Sequence, residues 1–112
     1  MIANTGSKIT QESLNHYKEL FSKPNHVKGT LKLMAEWNLS EFLKNLKNCT
    51  SSINYLVGIL DKTVPISVSK KWSQILPKTS YHEISGAGHL VHEEKPYEVS
   101  QIIINHLQAI KK

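Results

Sequence analysis

The chain has 112 residues, enough for one domain with a modest core but short for a complete α/β enzyme. Its fourteen basic residues are all lysines, scattered from Lys8 to Lys112, and set a formal charge of +5 against eight glutamates and one aspartate, Asp61; with no arginine for bidentate phosphate or guanine recognition, no nucleic-acid partner is expected. One cysteine, Cys49, excludes an internal disulfide and a paired-cysteine zinc site, and a reducing cytoplasm is the expected location.

Residues 1–9 are polar and read as a loose leader, without the apolar run of a signal peptide; no stretch approaches a membrane span. Thr10 is placed to cap a helix through "QESLNHYKELF", with Leu14, Tyr17, Leu20 and Phe21 on one face. Pro24 restarts the chain into a second helix, with Val27, Leu31, Met34 and Ala35 at helical spacing and Gly29 as a weak point. "NLSEFLKNLKN" supplies a third, whose apolar residues are Leu39, Phe42, Leu43 and Leu46. The pattern then changes. Ile53 to Ile59 is a short apolar run of the kind buried in a parallel sheet. A helix from Pro65 through Leu76 and a strand at Ser80 to Ser85 complete a βαβ unit. A last helix, from about Pro96 to Ile110, places Val99, Ile102, Ile103, His106, Leu107 and Ile110 on its apolar side.

Ligands and reacting groups of α/β sheets gather at the carboxyl ends of the strands, and two polar stretches fall there. "GILDKTVP" leaves the first strand and "GAGHLVHEE" leaves the second. Adjacent parallel strands bring Asp61 beside His89, a pairing in which the carboxylate accepts the imidazole Nδ1 proton, fixes the tautomer and leaves Nε2 free as a base. Either residue alone has an ordinary explanation, a turn carboxylate or a satisfied surface histidine. Their joint placement is what points to chemistry.

The motifs G-x-x-D-x-x-x-P, Gly58 to Pro65, and G-x-G-H, Gly86 to His89, resemble the acid and histidine segments of the α/β-hydrolase superfamily. The resemblance implies an α/β fold. It corresponds to the C-terminal part of a hydrolase, with two parallel strands, flanking helices, a helical cap-like segment over residues 1–37 and a core part over 38–112. "LMAEWNL" together with "GHLVHEEKP" is most similar to the family of hydrolase-fold accessory proteins of magnesium chelatase. The superfamily order is nucleophile, acid, histidine, and no G-x-S-x-G elbow is present; Gly6-Ser7 and Ser85-Gly86 fit neither the pattern nor the order. His89 and Asp61 are therefore expected to serve a nucleophile outside this chain, in hydrolysis of an ester-like substrate, with the chain inactive alone. The alternative is a non-catalytic accessory or binding protein for magnesium chelatase or a tetrapyrrole.

Met34, Trp37 and Leu90, with Leu33, are expected to contact a small hydrophobic or ester-like substrate, although apolar residues at helical spacing are more often plain core. No cofactor and no metal are expected, since His89, His92, Glu93 and Glu94 match no zinc-site spacing. Cys49 precedes the acid strand and is a poor nucleophile candidate. A strand apolar on both faces with one partner predicts self-association of the chain.

Overall fold

A computed structural model describes residues 4–46 and 48–110. They divide into two compact units, one formed by Ile9–Cys49 and the other by residues 4–8 together with 50–110.

The Ile9–Cys49 unit holds three helices, α1 (Gln11–Phe21), α2 (Pro24–Ala35) and α3 (Leu39–Leu46). Their boundaries follow local chemistry. The Thr10 hydroxyl accepts the Ser13 amide at 3.1 Å and satisfies one orphan donor of the first turn of α1. Pro24 opens α2, where its missing N–H costs nothing. Asn38 Oδ1 accepts the Glu41 amide at 3.3 Å at the start of α3. None of the three helices contains a buried residue. The apolar stripes are present as expected, but Leu33 is 70% exposed, Trp37 65% and Met34 59%. These helices rest on their caps and on local pairs such as Glu19 with Lys23 at 2.8 Å.

In the second unit β1 (Ile53–Gly58) and β2 (Thr79–Ile84) form a parallel pair, in register from Ile53 opposite Thr79 to Gly58 opposite Ile84. A parallel pair needs a crossover, which α4 (Ile66–Ile75) provides. Alternation along the strands then assigns the faces. Tyr81 donates its hydroxyl to the Ile66 carbonyl at 3.3 Å, so the odd-numbered side of β2 faces α4. Ile84 lies on the other side and packs with Ala87, Val91 and Val99, flanked by Leu56 and Ile102. Val91 comes from a one-turn helix, α5 (Val91–Glu94), and Val99 from α6 (Pro96–Ile110). Full burial of an aliphatic side chain of this size contributes about 1.5–3 kcal/mol, and among the described residues Ile84 is the one large side chain buried almost completely. Val99 and Ile102 anchor the N-terminal half of α6 in this way. Ile103, Leu107 and Ile110, expected on its packed side, are 48%, 53% and 61% exposed. Among the described residues no helix is long and apolar enough to cross a membrane.

One expectation is corrected. Residues 4–8 of the supposed leader are tied by hydrogen bonds to the loops that follow β1 and β2; residues 1–3 lie outside the described residues. The one-turn helix Val91–Glu94 is an addition to the expected elements, too short to leave a periodic signature in the sequence.

Candidate functional site

β1 and β2 end side by side, and their loops leave together. The Ile59 amide donates to Ile84 at 3.1 Å and the Leu60 amide to Ala87 at 2.9 Å, so the acid loop and the histidine loop continue the sheet's pairing one step past its edge. The backbones approach too closely for a side chain between them. A Cβ on Gly58 would stand 2.5 Å from the Ala87 carbonyl oxygen. Gly86, at φ +69°, makes the turn that an L-residue resists.

This crossing delivers Asp61 to His89, with His89 Nδ1 2.9 Å from Asp61 Oδ2. The other carboxylate oxygen is also occupied: Oδ1 accepts the amides of Thr63 at 2.8 Å and Val64 at 2.9 Å, an Asx-type turn that fixes the carboxylate plane. The Asp61 side chain is only 8% exposed, that of His89 37%. Burial alone pushes the Asp61 carboxyl up, but the hydrogen bonds from Val64, His89 and Thr63 outweigh it and hold the group below the usual carboxylate range. An ionised carboxylate accepts and cannot donate, so the bond to His89 is Nδ1–H donating to Asp61. The imidazole is left with Nε2 as its free lone pair, the arrangement a general base needs.

A third segment completes the geometry. The Thr5 carbonyl accepts the Lys62 amide at 3.1 Å from the acid loop and the His89 amide at 3.3 Å from the histidine loop. Ser7 Oγ accepts the Leu90 amide at 2.7 Å. Glu94 accepts the Lys8 amide on Oε1 and the Gly88 amide on Oε2, both at 2.7 Å. Sequence reading weighed Ser7 and Glu94 only for other roles and assigned none to Thr5 or Lys8. Their usable signals were Gly6, which takes φ +80° between Thr5 and Ser7, and an acidic residue five positions after His89.

The other sequence candidates are placed as follows. Leu90 is half-buried, with its amide held by Ser7. Met34 and Trp37 are exposed on the helical unit, on α2 and just after it. Cys49 belongs to the helical unit and follows α3. His92 is 63% exposed with its Nε2 3.8 Å from Glu93. Among the described residues no group of three or more histidine, cysteine and acidic side chains could hold a metal ion. Ser7, the serine nearest His89 in the hydrogen-bond network, uses its hydroxyl oxygen to hold the Leu90 amide.

No family profile matches the chain. It is similar to the "Magnesium-chelatase 30 kDa subunit" of Rhodobacter capsulatus, with 33% identity over 105 residues that cover 94% of this chain and 37% of that protein. The chain therefore spans little more than a third of the length of the curated relative it matches.

Proposed function

We propose that the chain belongs to an accessory protein of the magnesium-chelatase 30 kDa subunit type, built on the C-terminal part of an α/β-hydrolase fold and working in the cytoplasm as a binder of a tetrapyrrole or similar hydrophobic ligand. The observation that carries this reading is the 33% identity sustained over 105 residues, which runs through both units of the chain. On this reading residues 1–37 act as a cap-like segment, chiefly through their helices, and 38–112 as core. Its ligand-contact residues are Met34 and Trp37 within the helical unit and, separately, Leu90 beside His89 in the other unit. Met34 and Trp37 are 59% and 65% exposed, so both are accessible to a ligand. The uncovered apolar stripes also support self-association of the isolated chain.

A second reading is favoured by one specific geometry. Asp61 and His89, 2.9 Å apart with Nε2 free, fit the acid and base of a nucleophile-histidine-acid triad for hydrolysis of an ester-like substrate. In that chemistry Nε2 removes the proton of an attacking hydroxyl, and Asp61 stabilises the imidazolium. No described residue of this chain supplies the nucleophile, so this reading predicts an inactive chain and an active longer protein.

One paired experiment separates them. The 112-residue chain is titrated with protoporphyrin while the Soret band and tryptophan fluorescence are followed, and assayed in parallel with a p-nitrophenyl ester. The accessory reading expects saturable binding, unchanged in His89→Ala and weakened in Trp37→Ala, with ester turnover at the buffer rate. Absence of saturable binding refutes it. Ester turnover in the longer protein that falls by several orders of magnitude in His89→Ala establishes the hydrolytic reading instead.

A further inference from the structure

The Asp61–His89 pair does not by itself require residues 5–8 or Glu94, yet the hydrogen bonds of this strap converge on the two loops that carry the pair. The Thr5 carbonyl is shared between the amides of Lys62, next to Asp61, and of His89 itself. One oxygen with two lone pairs thus joins the backbones of both partners. The strap is seated with no space to spare: a Cβ on Gly88 would stand 2.6 Å from the Gly6 carbonyl oxygen. Its two ends differ. Ser7 is held through its hydroxyl to Leu90, whereas Lys8 is held by a charged acceptor, Glu94, whose second oxygen takes the amide of Gly88 immediately before His89.

We propose that Glu94 is a positioning residue of the site, a carboxylate latch that fastens residues 5–8 across the acid and histidine loops and so fixes how His89 meets Asp61. The inference rests on the reading of Asp61 and His89 as the functional pair. Each Glu94 oxygen has its own backbone donor, at 2.7 Å. Burial pushes its carboxyl up, but the bonds from Lys8, Gly88 and Ser7, with the Lys95 charge beside it, hold it below the usual range. Charge-assisted bonds of this kind are roughly twice as strong as neutral ones. Glutamine is no substitute, because its NH2 group would face an N–H donor at one of the two positions. Aspartate is one methylene short.

The test reads the ring nitrogens of His89 by 15N NMR on the full chain at about pH 8.5, above the ordinary histidine range. In the parent, Nδ1 should carry the proton and Nε2 the lone pair. Glu94→Gln should shift this toward the mixed tautomers of an unheld imidazole and speed exchange of the Lys8 amide at least tenfold. Val99→Ala, a core change outside the latch, should leave the ring signature intact. Ser7→Ala removes the hydroxyl that ties the strap to the Leu90 amide while keeping the Glu94 charge, and should shift the ring partway; it stands in if Glu94→Gln does not fold. The proposal is overturned if Glu94→Gln, or Ser7→Ala in its place, keeps the parent tautomer while the strap amides exchange freely, for then the latch holds only the chain. It is equally overturned if Val99→Ala loses the signature, since the ring would then follow general stability. Asp61→Asn tests the underlying pair separately: an unchanged tautomer in that variant, with the latch intact, refutes the pair rather than the latch.

Discussion

Gly88→Ala isolates the packing of the strap, because the glycine is needed there for space. Its backbone is not in the left-handed region, so alanine meets no conformational objection. Its Cβ would, however, stand 2.6 Å from the Gly6 carbonyl oxygen and nearer still to the Gly6–Ser7 peptide bond, all backbone that cannot rotate away. The strap must move or leave. Leaving forfeits four hydrogen bonds, from Lys62 and His89 to Thr5, from Leu90 to Ser7 and from Lys8 to Glu94. Neutral bonds contribute about 0.5–1.5 kcal/mol and bonds to a charged group about 1.5–3, so the loss is roughly 3–7 kcal/mol. Freeing residues 5–8 recovers about 1–2 kcal/mol of backbone entropy per residue, roughly 4–8 in all. The two nearly cancel, which makes detachment cheaper than the overpacking strain of about 1–3 kcal/mol that a seated strap would carry, so the fall in global stability should stay below that figure. In hydrogen exchange, the amides of Lys8, Lys62, His89 and Leu90 should lose protection at least tenfold while those between β1 and β2 keep theirs; urea unfolding supplies the global figure. A variant within about 0.5 kcal/mol of the parent, with the strap amides still protected, would show that the three backbones do not cross as described.

Three further outcomes follow from the same structure. Asp61 and Glu94 are both held below the usual carboxylate range, so the unfolded chain binds more protons than the folded one in acid; their stabilisation is complete above the ordinary values near about 4 and is lost as pH falls through the lowered ones. Chemical denaturation between about pH 6 and 2.5 should show this decline, and a double variant Asp61→Asn, Glu94→Gln with the same acid slope as the parent would contradict it. Gly29→Ala should stabilise α2 by about 0.5–1 kcal/mol, because nothing lies within 4 Å of the added methyl; a loss of helicity by circular dichroism would mean that another surface covers that position. At micromolar concentration the chain should sediment as a dimer or larger species, driven by side chains such as Leu31 at 61% and Phe42 at 54% exposure; a monomer with a cooperative melt would refute it.

What could be read in the sequence was what local rules determine. Thr10 and Pro24 mark helix starts because the first turn has donors to satisfy and tolerates a missing one. The run from Ile53 to Ile59 reads as a strand because it is short and almost continuously apolar, and β1 occupies Ile53–Gly58 of it. Given two parallel strands, the loops after their carboxyl ends must be neighbours, and that is how Asp61 and His89 could be paired across 28 positions before any coordinates. The exposure of the helix stripes was not legible, because periodicity reports which face is apolar and says nothing of whether a partner covers it.

The strap was illegible for a different reason. It meets its partners through a Thr5 carbonyl, a Ser7 hydroxyl and the Lys8 amide, over separations of up to 86 residues, and backbone groups carry no sequence signature. Its one distinctive trace is glycine. Of the five glycines in the chain, Gly6, Gly58 and Gly88 each stand where an added Cβ would strike the backbone of another segment. In the sequence they look like three unrelated turn residues. Only the parallel pairing of β1 with β2 makes Gly58 and Gly88 neighbours, and only then does a third glycine at position 6 become interpretable as the crossing of a third chain segment. The Asp61–His89 pair and the latch beside it thus differ in how much must be known first: strand order suffices for the pair, whereas the latch also requires the path of a segment that forms no strand and buries no large side chain.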